Sequence, residues 1–564
     1  MENILKEIYS SVTGALKIDK INSKIKIEGR KINGKNQIML TLSDGVSQLT
    51  TIRGIGSSVE QAIVNALNAF HQNKTKLFKP KSVKLDIITA ITLPIKEKKD
   101  LLNLKIPYKF NVDGIAIGKN LELIFLPSEV ASYGILNKKK INLKQAIKPL
   151  RTRLTSEIES LVYSLEKESV EILKFNTVSF YIDEENIIDV TNGRQIFKDI
   201  RQQDLWDAIA LTKDNYFKNV VQSSGKFIYS YLPDLNKREK KYNILRHAGT
   251  VYSMVETYEL MPDEQLLGEI KRAIEFLKNK VKPWKVNDKQ VKVIVERDTM
   301  KVGGNALAIV ALAKYTEVTQ DKQYVSLMQE LASWFGEIKK ENGDFIVYKQ
   351  TYSTGEMSSF VSGYYPGESI LALTRLYKID KNEKWLDIAE DTAQYLINIR
   401  DKGKTYDNIA ADHWLLYALN DLYRYRKNDL YLEHSFFIAE AIMRKQITEN
   451  DTEQSFLIGS YETASGKPMG STPVACRSEG LGATYRLAKS YNYDELASKI
   501  LYSIKLGVQY QLQMQLRPES VMYFTKKRLA LGAVHASLRK YQLQNDYTQH
   551  NISSFISLYH ILKK

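Results

Sequence analysis

The chain has one cysteine in 564 residues, Cys476, which excludes an intramolecular disulfide framework and a multi-cysteine metal site. No apolar run approaches the roughly 18–20 residues of a membrane helix. The nearest, Ala306–Ala313, stops at Lys314, so no membrane partner is expected. The start, MENILKEIYSSVTG, has no long apolar stretch behind a basic end; no secretory signal is expected, and the expected location is cytoplasmic. The pattern GxxxxGK[ST] is missing and no GxGxxG opens a helix after a strand, so no nucleotide-type cofactor is expected. No DxDD-like acid motif occurs, which argues against a protonation-driven terpene cyclase. One cysteine with scattered histidines does not read as the zinc site of a lanthionine-type cyclase, and no metal is expected.

Arginine is scarce where positive charge is dense. Residues 1–150 carry 25 Lys+Arg against 12 Asp+Glu, and only Arg30 and Arg53 are arginines. The other 414 residues carry 56 against 53, so most of the net charge of +16 belongs to the amino-terminal part. Readers of bases and phosphates lean on the bidentate fork of arginine. A lysine-rich solvated surface is the reading here, with no sequence-specific nucleic-acid partner.

Two regions differ in pattern. In the first, Val83, Leu85 and Ile87 alternate with Lys84 and Asp86, the period of a half-buried strand, and Val178, Phe180 and Ile182 do the same. Val59, Ala62, Ile63, Ala66, Leu67 and Phe70 fall at helical spacing between strands. This predicts an α+β domain over residues 1–190. Residues 151–200 shift to 6 basic against 10 acidic, which fits a junction near 185–200. From about residue 203 helices alternate in kind. Tyr324–Ile338 and Trp385–Ile399 are amphipathic, whereas Ala306–Leu312, Ile370–Leu376 and Leu415–Leu419 are apolar nearly all round and must be buried on every side. Six of the buried kind begin near Arg246, Asn305, Gly367, Asp412, Ser478 and Gln549, on average about every 61 residues, each preceded by an amphipathic helix. The pattern predicts an all-α (α/α)6 toroid of six helical hairpins over 200–564, folding separately from the first domain. An open solenoid of helix pairs is the rival.

Polar groups cluster at the inner helix starts, in ILRHAGTVY at 244–252, GGNALAIVA at 303–311, YYPGESILA at 364–372, AADHWLLYA at 410–418, CRSEGLGAT at 476–484 and DYTQHNISS at 546–554. Parallel inner helices bring these amino ends, with their partial positive charge, to one mouth. Glu368, Asp412, Glu479 and Asp546 offer carboxyl groups for acid/base work, or equally caps for their own helices. Four of seven histidines, His247, His413, His535 and His550, lie in or beside the inner segments. Arg246, Asn305 and Arg477 add polar contacts, and the rings of Tyr364, Tyr365 and Trp414 offer faces for stacking on sugars. Arg477, just ahead of Glu479, is placed to hold that carboxylate ionised while a more buried partner keeps its proton.

The helical part resembles the six-hairpin glycosidase superfamily, and within it the group near the N-acylglucosamine epimerases and glucuronyl epimerases, through its repeats and RHAGTVY, YYPGES, DHW, RSEG and DYTQH. The resemblance implies acid/base roles at the mouth for Glu368, His413, Glu479, Asp546 and His550. The first part resembles the AMME-syndrome candidate-gene protein domain in IRGIG at 52–56, KLDIITAITLP at 84–94, NVDGIAIG at 111–118 and IFLPSEVA at 124–131. That family usually carries a cysteine within its RGxIG turn. Here Gly54 runs into Ile55, which leaves Arg53, Gly54 and Gly56 as a plain structural turn or, as the rival, a binding turn without a thiol.

These readings converge on a carbohydrate-active enzyme, a glycoside hydrolase or a sugar epimerase, acting on a saccharide or uronate-containing substrate. Hydrolysis would use two carboxyl groups, epimerisation a base and a donor such as two histidines. The rival is a glycan- or protein-binding scaffold using the same mouth. The sequence does not set the oligomeric state. Unrelated DNA duplexes are expected to bind weakly and with equal salt sensitivity; a preference of about a thousandfold for one sequence in a competition titration would contradict this.

Overall fold

The computed structural model describes residues 1–14, 20–21, 25–31, 34–73, 77–97, 104–118, 121–154, 159 and 170–563. Residues 155–158 and 160–169 of the acidic stretch lie outside these, as do the side chains of 92–97, which close the KLDIITAITLP segment.

The first part is α+β. Strands β1 (Asn36–Ser43), β2 (Leu49–Gly56), β3 (Ser82–Glu97), β4 (Gly114–Ile117), β5 (Leu123–Phe125), β6 (Val170–Ile182), β7 (Ile187–Thr191) and β8 (Arg194–Gln195) form one antiparallel sheet. Its order is β8-β7-β6-β3-β1-β2, with β4 also on β6 and β5 on β4. Helices α1 (Glu2–Thr13) and α2 (Val59–Asn73) pack Ile4, Ile8, Ala62, Ile63 and Phe70 against Val83, Leu85 and Ile87, while α3 (Pro127–Ser132) and α4 (Leu143–Leu150) bring Val130, Ala146 and Leu150 to a second core. The IRGIG segment is strand β2 rather than a turn. A Cβ on Gly56 would lie 2.5 Å from the Ala62 backbone nitrogen, so the glycine admits α2. Arg53 is tied to Gln37 Oε1 of β1.

The other face of β3 does not meet solvent, contrary to the half-buried reading. Lys84 and Asp86 are buried, with Lys84 Nζ donating to Asp86 Oδ1 at 2.8 Å and to Ser128 Oγ at 3.0 Å. The Tyr523 ring covers them, 5.6 Å from Lys84 Nζ. Tyr523 belongs to the carboxyl-terminal part, and with Met522 it completes a core of this first domain.

From Gln202 onward six helical hairpins close into a double ring. The outer helices are α5 (Gln202–Leu211, continuing through a π turn to Val220), α7 (Glu264–Lys278), α9 (Val325–Ile338), α11 (Glu383–Tyr395, continuing to Arg400), α13 (Asp429–Met443) and α15 (Asp494–Leu512). The inner helices are α6 (Ile244–Leu260), α8 (Val302–Thr319), α10 (Tyr365–Asp380), α12 (His413–Tyr423), α14 (Ser471–Ser490) and α16 (Asn545–Leu562). Each inner helix packs on the next and α16 packs back on α6, so the ring is closed and is not an open solenoid. Five inner starts lie within four residues of the predicted ones; α14 begins two turns before Ser478, because Gly470 and Ser471 rather than the apolar run set its entry.

The connections are unequal. Inner-to-outer links are short (261–263, 320–324, 381–382, 424–428 and 491–493), whereas outer-to-inner links are long (221–243, 279–301, 339–364, 401–412, 444–470 and 513–544). The long ones surround the amino ends of the inner helices, so all the variable chain gathers at one mouth. They carry two small sheets, one of β9 (Ser230–Leu232), β10 (Lys237–Arg238), β15 (His535–Ser537) and β16 (Lys540–Gln544), the other of β11 (Val281–Val286), β12 (Lys289–Glu296), β13 (Thr299–Lys301) and β14 (Lys349–Thr351). The first domain docks on that end, where Asn111 Nδ2 donates to Tyr541 Oη at 2.7 Å and Arg194 Nη2 to the Leu538 carbonyl at 2.9 Å. Among the described residues no helix is long and apolar enough to cross a membrane.

Because Tyr523 is buried in the core of the first domain, Tyr523→Ala is expected to cost about 3–5 kcal/mol. Hydrogen exchange should show the loss mainly in the amides of β3 and β6. Uniform exchange changes confined to the helical ring would contradict this packing.

Candidate active site

Three polar groups line the mouth of the inner ring. The first is an ion pair. Asp546 in the first turn of α16 pairs with Arg246 in the first turn of α6, and its Oδ1 accepts from Gln544 Nε2 at 2.6 Å. The Asp546 carboxylate is buried while Arg246 keeps 41% of its side chain exposed, so the guanidinium forms the lid of the pair.

The second is a pair of carboxyl groups. Glu368 sits one turn into α10, 4% exposed, with Oε2 unpartnered. Burial pushes its pKa well above the ordinary range, and the nearby Asp412 adds to this while Arg246 opposes it. Asp412 caps α12 by accepting from the Leu415 N–H at 3.1 Å, and burial lifts it to about 6 against the pull of Arg400.

The third is a histidine cluster. His550 Nδ1 donates to Glu479 Oε2 at 2.7 Å. The His413 ring lies 5.2 Å from the His550 ring, is 5% exposed, and has no partner on either nitrogen. Burial holds His413 well below its usual pKa, with His550 and Arg477 adding to the effect. Cys476, half-buried on α14 one turn before Glu479, completes the group. His413, Cys476, Glu479 and His550 each present a ligand-type atom, all within 4.8 Å of one another. Sequence reasoning used Cys476 only to exclude chemistry; its i, i+3 spacing from Glu479 on one helix face was the signal available.

Several expected site residues serve the wall instead. His247 is fully buried with its side chain toward outer helix α7: Nε2 donates to the Ala273 carbonyl at 2.8 Å and Tyr242 Oη donates to Nδ1 at 2.7 Å. Asn305 accepts from the Ile294 N–H at 2.8 Å and donates to the Lys292 and Leu331 carbonyls at 3.0 Å, pinning β12 and α9. His535 lies in β15, where Nδ1 donates to the Lys540 carbonyl at 3.2 Å and the ring packs on Tyr541. All three satisfy buried backbone groups, which an inner helix packed on both sides needs more than it needs ligands.

The aromatic and cationic residues divide as well. Trp414 is no stacking platform, since its buried indole packs on His413 and His550. Tyr364 is 50% exposed beside His413 and Tyr365 is half-buried, packing on Phe360. Arg477 does not hold Glu479 ionised. Its guanidinium lies over the Tyr461 ring, and burial, with Glu256 adding, pushes the Glu479 carboxyl well up.

A cavity of about 420 Å³ lies at the opposite end of the ring, near the carboxyl ends of the inner helices, lined by Tyr252, Glu256, Arg375, Tyr417, Asn420 and Arg486 among others. Most of its charges are paired or bonded, as in Arg375–Asp421, Lys314–Glu259 and Ser553–Glu256. At the mouth Glu368 Oε2, Asp412 Oδ2 and both His413 nitrogens are buried without a hydrogen bond, which locates the candidate chemistry there.

No family model and no curated protein matches the chain. Among solved structures, the α-1,6-mannanase GH76A of Salegentibacter sp. HEL1_6 is 13% identical, covering 64% of this chain and 99% of its own, with a TM-score of 0.43. D-mannose isomerase is 12% identical, with 65% and 100% covered and a TM-score of 0.48. Cellobiose 2-epimerase from Bacillus thermoamylovorans B4167 is 14% identical, with 64% and 99% covered and a TM-score of 0.47.

The wall assignment of His247 has a pH signature. Burial lowers it from 6.5 to about 4, so the folded state resists a proton that the unfolded chain accepts. Its stability contribution is whole above about 6.5 and lost as pH falls toward about 4, by roughly 3 kcal/mol. His247→Gln is expected to flatten that part of the acid-unfolding curve. An unchanged slope between pH 6.5 and 4 in urea titrations would place the proton uptake elsewhere.

Proposed function

We propose that the chain is a carbohydrate-active enzyme whose mouth cleaves a glycosidic bond by acid/base catalysis, with Glu368 as the acid and Asp546 as the base or nucleophile. The observation that carries this reading is the contrast between two carboxyl groups around one arginine. Asp546 is ion-paired with Arg246, whereas Glu368 is buried with an unpartnered oxygen and its proton held by desolvation. Two carboxyl groups in opposed settings are what hydrolysis of a glycosidic bond requires, one to donate a proton and one to remain charged. This favours hydrolysis over epimerisation. Tyr364 offers the exposed ring for a sugar face, and the part-exposed Arg246 and Arg477 offer charge to a uronate carboxylate. The first domain is read as a member of the AMME-syndrome candidate-gene type that braces the mouth rather than reacting. A scaffold that only binds glycans would not need an unpartnered buried carboxyl at its binding surface.

A screen of mannosides, glucosides and uronate-containing oligosaccharides against the full chain tests the proposal. On any substrate turned over, Glu368→Gln and Asp546→Asn are each expected to lower kcat by roughly a hundred- to ten-thousandfold. Activity of the parent should fall as pH rises through the raised pKa of Glu368, and Glu368→Gln should lose that limb. Full activity in both variants would overturn the assignment, and a glycan bound but never cleaved would favour the scaffold.

A further inference from the structure

We propose that His413, Cys476 and His550 bind one zinc-type divalent cation at the mouth, with Glu479 orienting His550 from behind. The four ligand-type atoms lie within 4.8 Å of one another, and they come from three separate inner helices, α12, α14 and α16. Only Cys476 and Glu479, three residues apart on α14, are brought together locally.

The strongest indication is His413. An imidazole 5% exposed with neither nitrogen bonded forfeits the hydrogen bonds that water gave it in the unfolded chain. Buried polar groups are as a rule satisfied, and Asn305 and His247 of the inner ring and His535 of β15 are. A cation offers His413 the partner the protein does not.

The ligand chemistry selects the metal. A thiolate with two imidazoles suits zinc or cobalt and disfavours magnesium or calcium, which take oxygen ligands. Tetrahedral zinc places nitrogen and sulfur ligands at about 2.0–2.3 Å, hence roughly 3.3–3.8 Å from one another, so closing the present spacing needs shifts of about an ångström. The 2.7 Å bond from His550 Nδ1 to Glu479 is the outer carboxylate–histidine contact that fixes a ligating ring. Glu479 is also within reach to become a fourth ligand. The negative charge of the buried Glu479 and the thiolate would balance the cation. Binding releases the Cys476 thiol proton to solvent; nothing is oxidised or reduced.

The inference does not rest on the roles of Glu368 and Asp546, so the two stand or fall separately. The full chain is stripped with a chelator, dialysed against zinc, and assayed for bound metal. One equivalent per chain is expected in the parent and in Asp546→Asn. Loaded with cobalt, the parent should show the near-ultraviolet band of a cobalt–thiolate bond. Cys476→Ser should abolish that band, and His413→Ala should weaken zinc binding by at least about a hundredfold. Glu479→Gln should weaken it by roughly ten- to a hundredfold. Metal content no higher in the parent than in a His413→Ala/Cys476→Ser double variant would overturn the proposal, as would a parent with no cobalt–thiolate band. If any single variant misfolds, the band in the parent still decides. A parent that takes up no metal, yet loses activity in Glu368→Gln, would sink the cation and keep the acid/base reading.

Discussion

Closure of the inner ring is the constraint on which the rest of the structure depends. Six helices share one axis, and each must touch two neighbours closely enough to leave no void. Small residues at the seams allow it. A Cβ on Gly367 would lie 2.9 Å from the Leu415 nitrogen, and one on Gly480 3.1 Å from His413 Cα. Gly249 and Gly482 likewise face Gln549 and Ser557 of α16. Each glycine costs a helix about 1 kcal/mol relative to alanine. The ring accepts that cost because alanine there would push its helices apart.

The same closure creates the reactive end. Helices that start at one mouth carry their first-turn polar residues into a space walled by the ring, where charge is poorly solvated. Most such residues find partners: His247 and Asn305 bond the backbone, and Asp546 pairs with Arg246. Glu368, Asp412 and His413 keep unbonded atoms there. Structure that leaves such groups unsatisfied gives up stability, and active sites are where that loss is commonly retained. In the far cavity most charges are paired instead, as Arg375 is with Asp421 and Lys314 with Glu259.

The first domain enters this arrangement through the last long loop. Asn111, Phe110 and Arg194 hold Tyr541 and Leu538 of the β15–β16 hairpin, and β16 runs directly into α16 with Asp546 and His550. In return Met522 and Tyr523 from that loop fill the first domain's core. The two parts are therefore coupled by exchange of side chains rather than by a shared strand, and the loop that both depend on carries the mouth's last wall.

What the sequence determined by itself is whatever depends on local spacing. Period-two alternation marked β3 and β6, three-to-four spacing marked the outer helices, and helices apolar all round marked the inner ones, because burial of one face or of all faces leaves its trace within a dozen residues. The six hairpins and the mouth with its carboxyl groups followed from that. Tertiary structure decided which polar residues turn inward. Lys84 and Asp86 looked solvated until Tyr523, more than 400 positions away, covered them. His247 and Asn305 sit at inner starts just as Glu368 does, yet they bond the backbone of outer helices and loops. Cys476, His413 and His550 are far apart in the chain and meet only because the ring closes. The angle at which each helix presents its first turn is set by contacts with neighbours distant in sequence, and no local period records it.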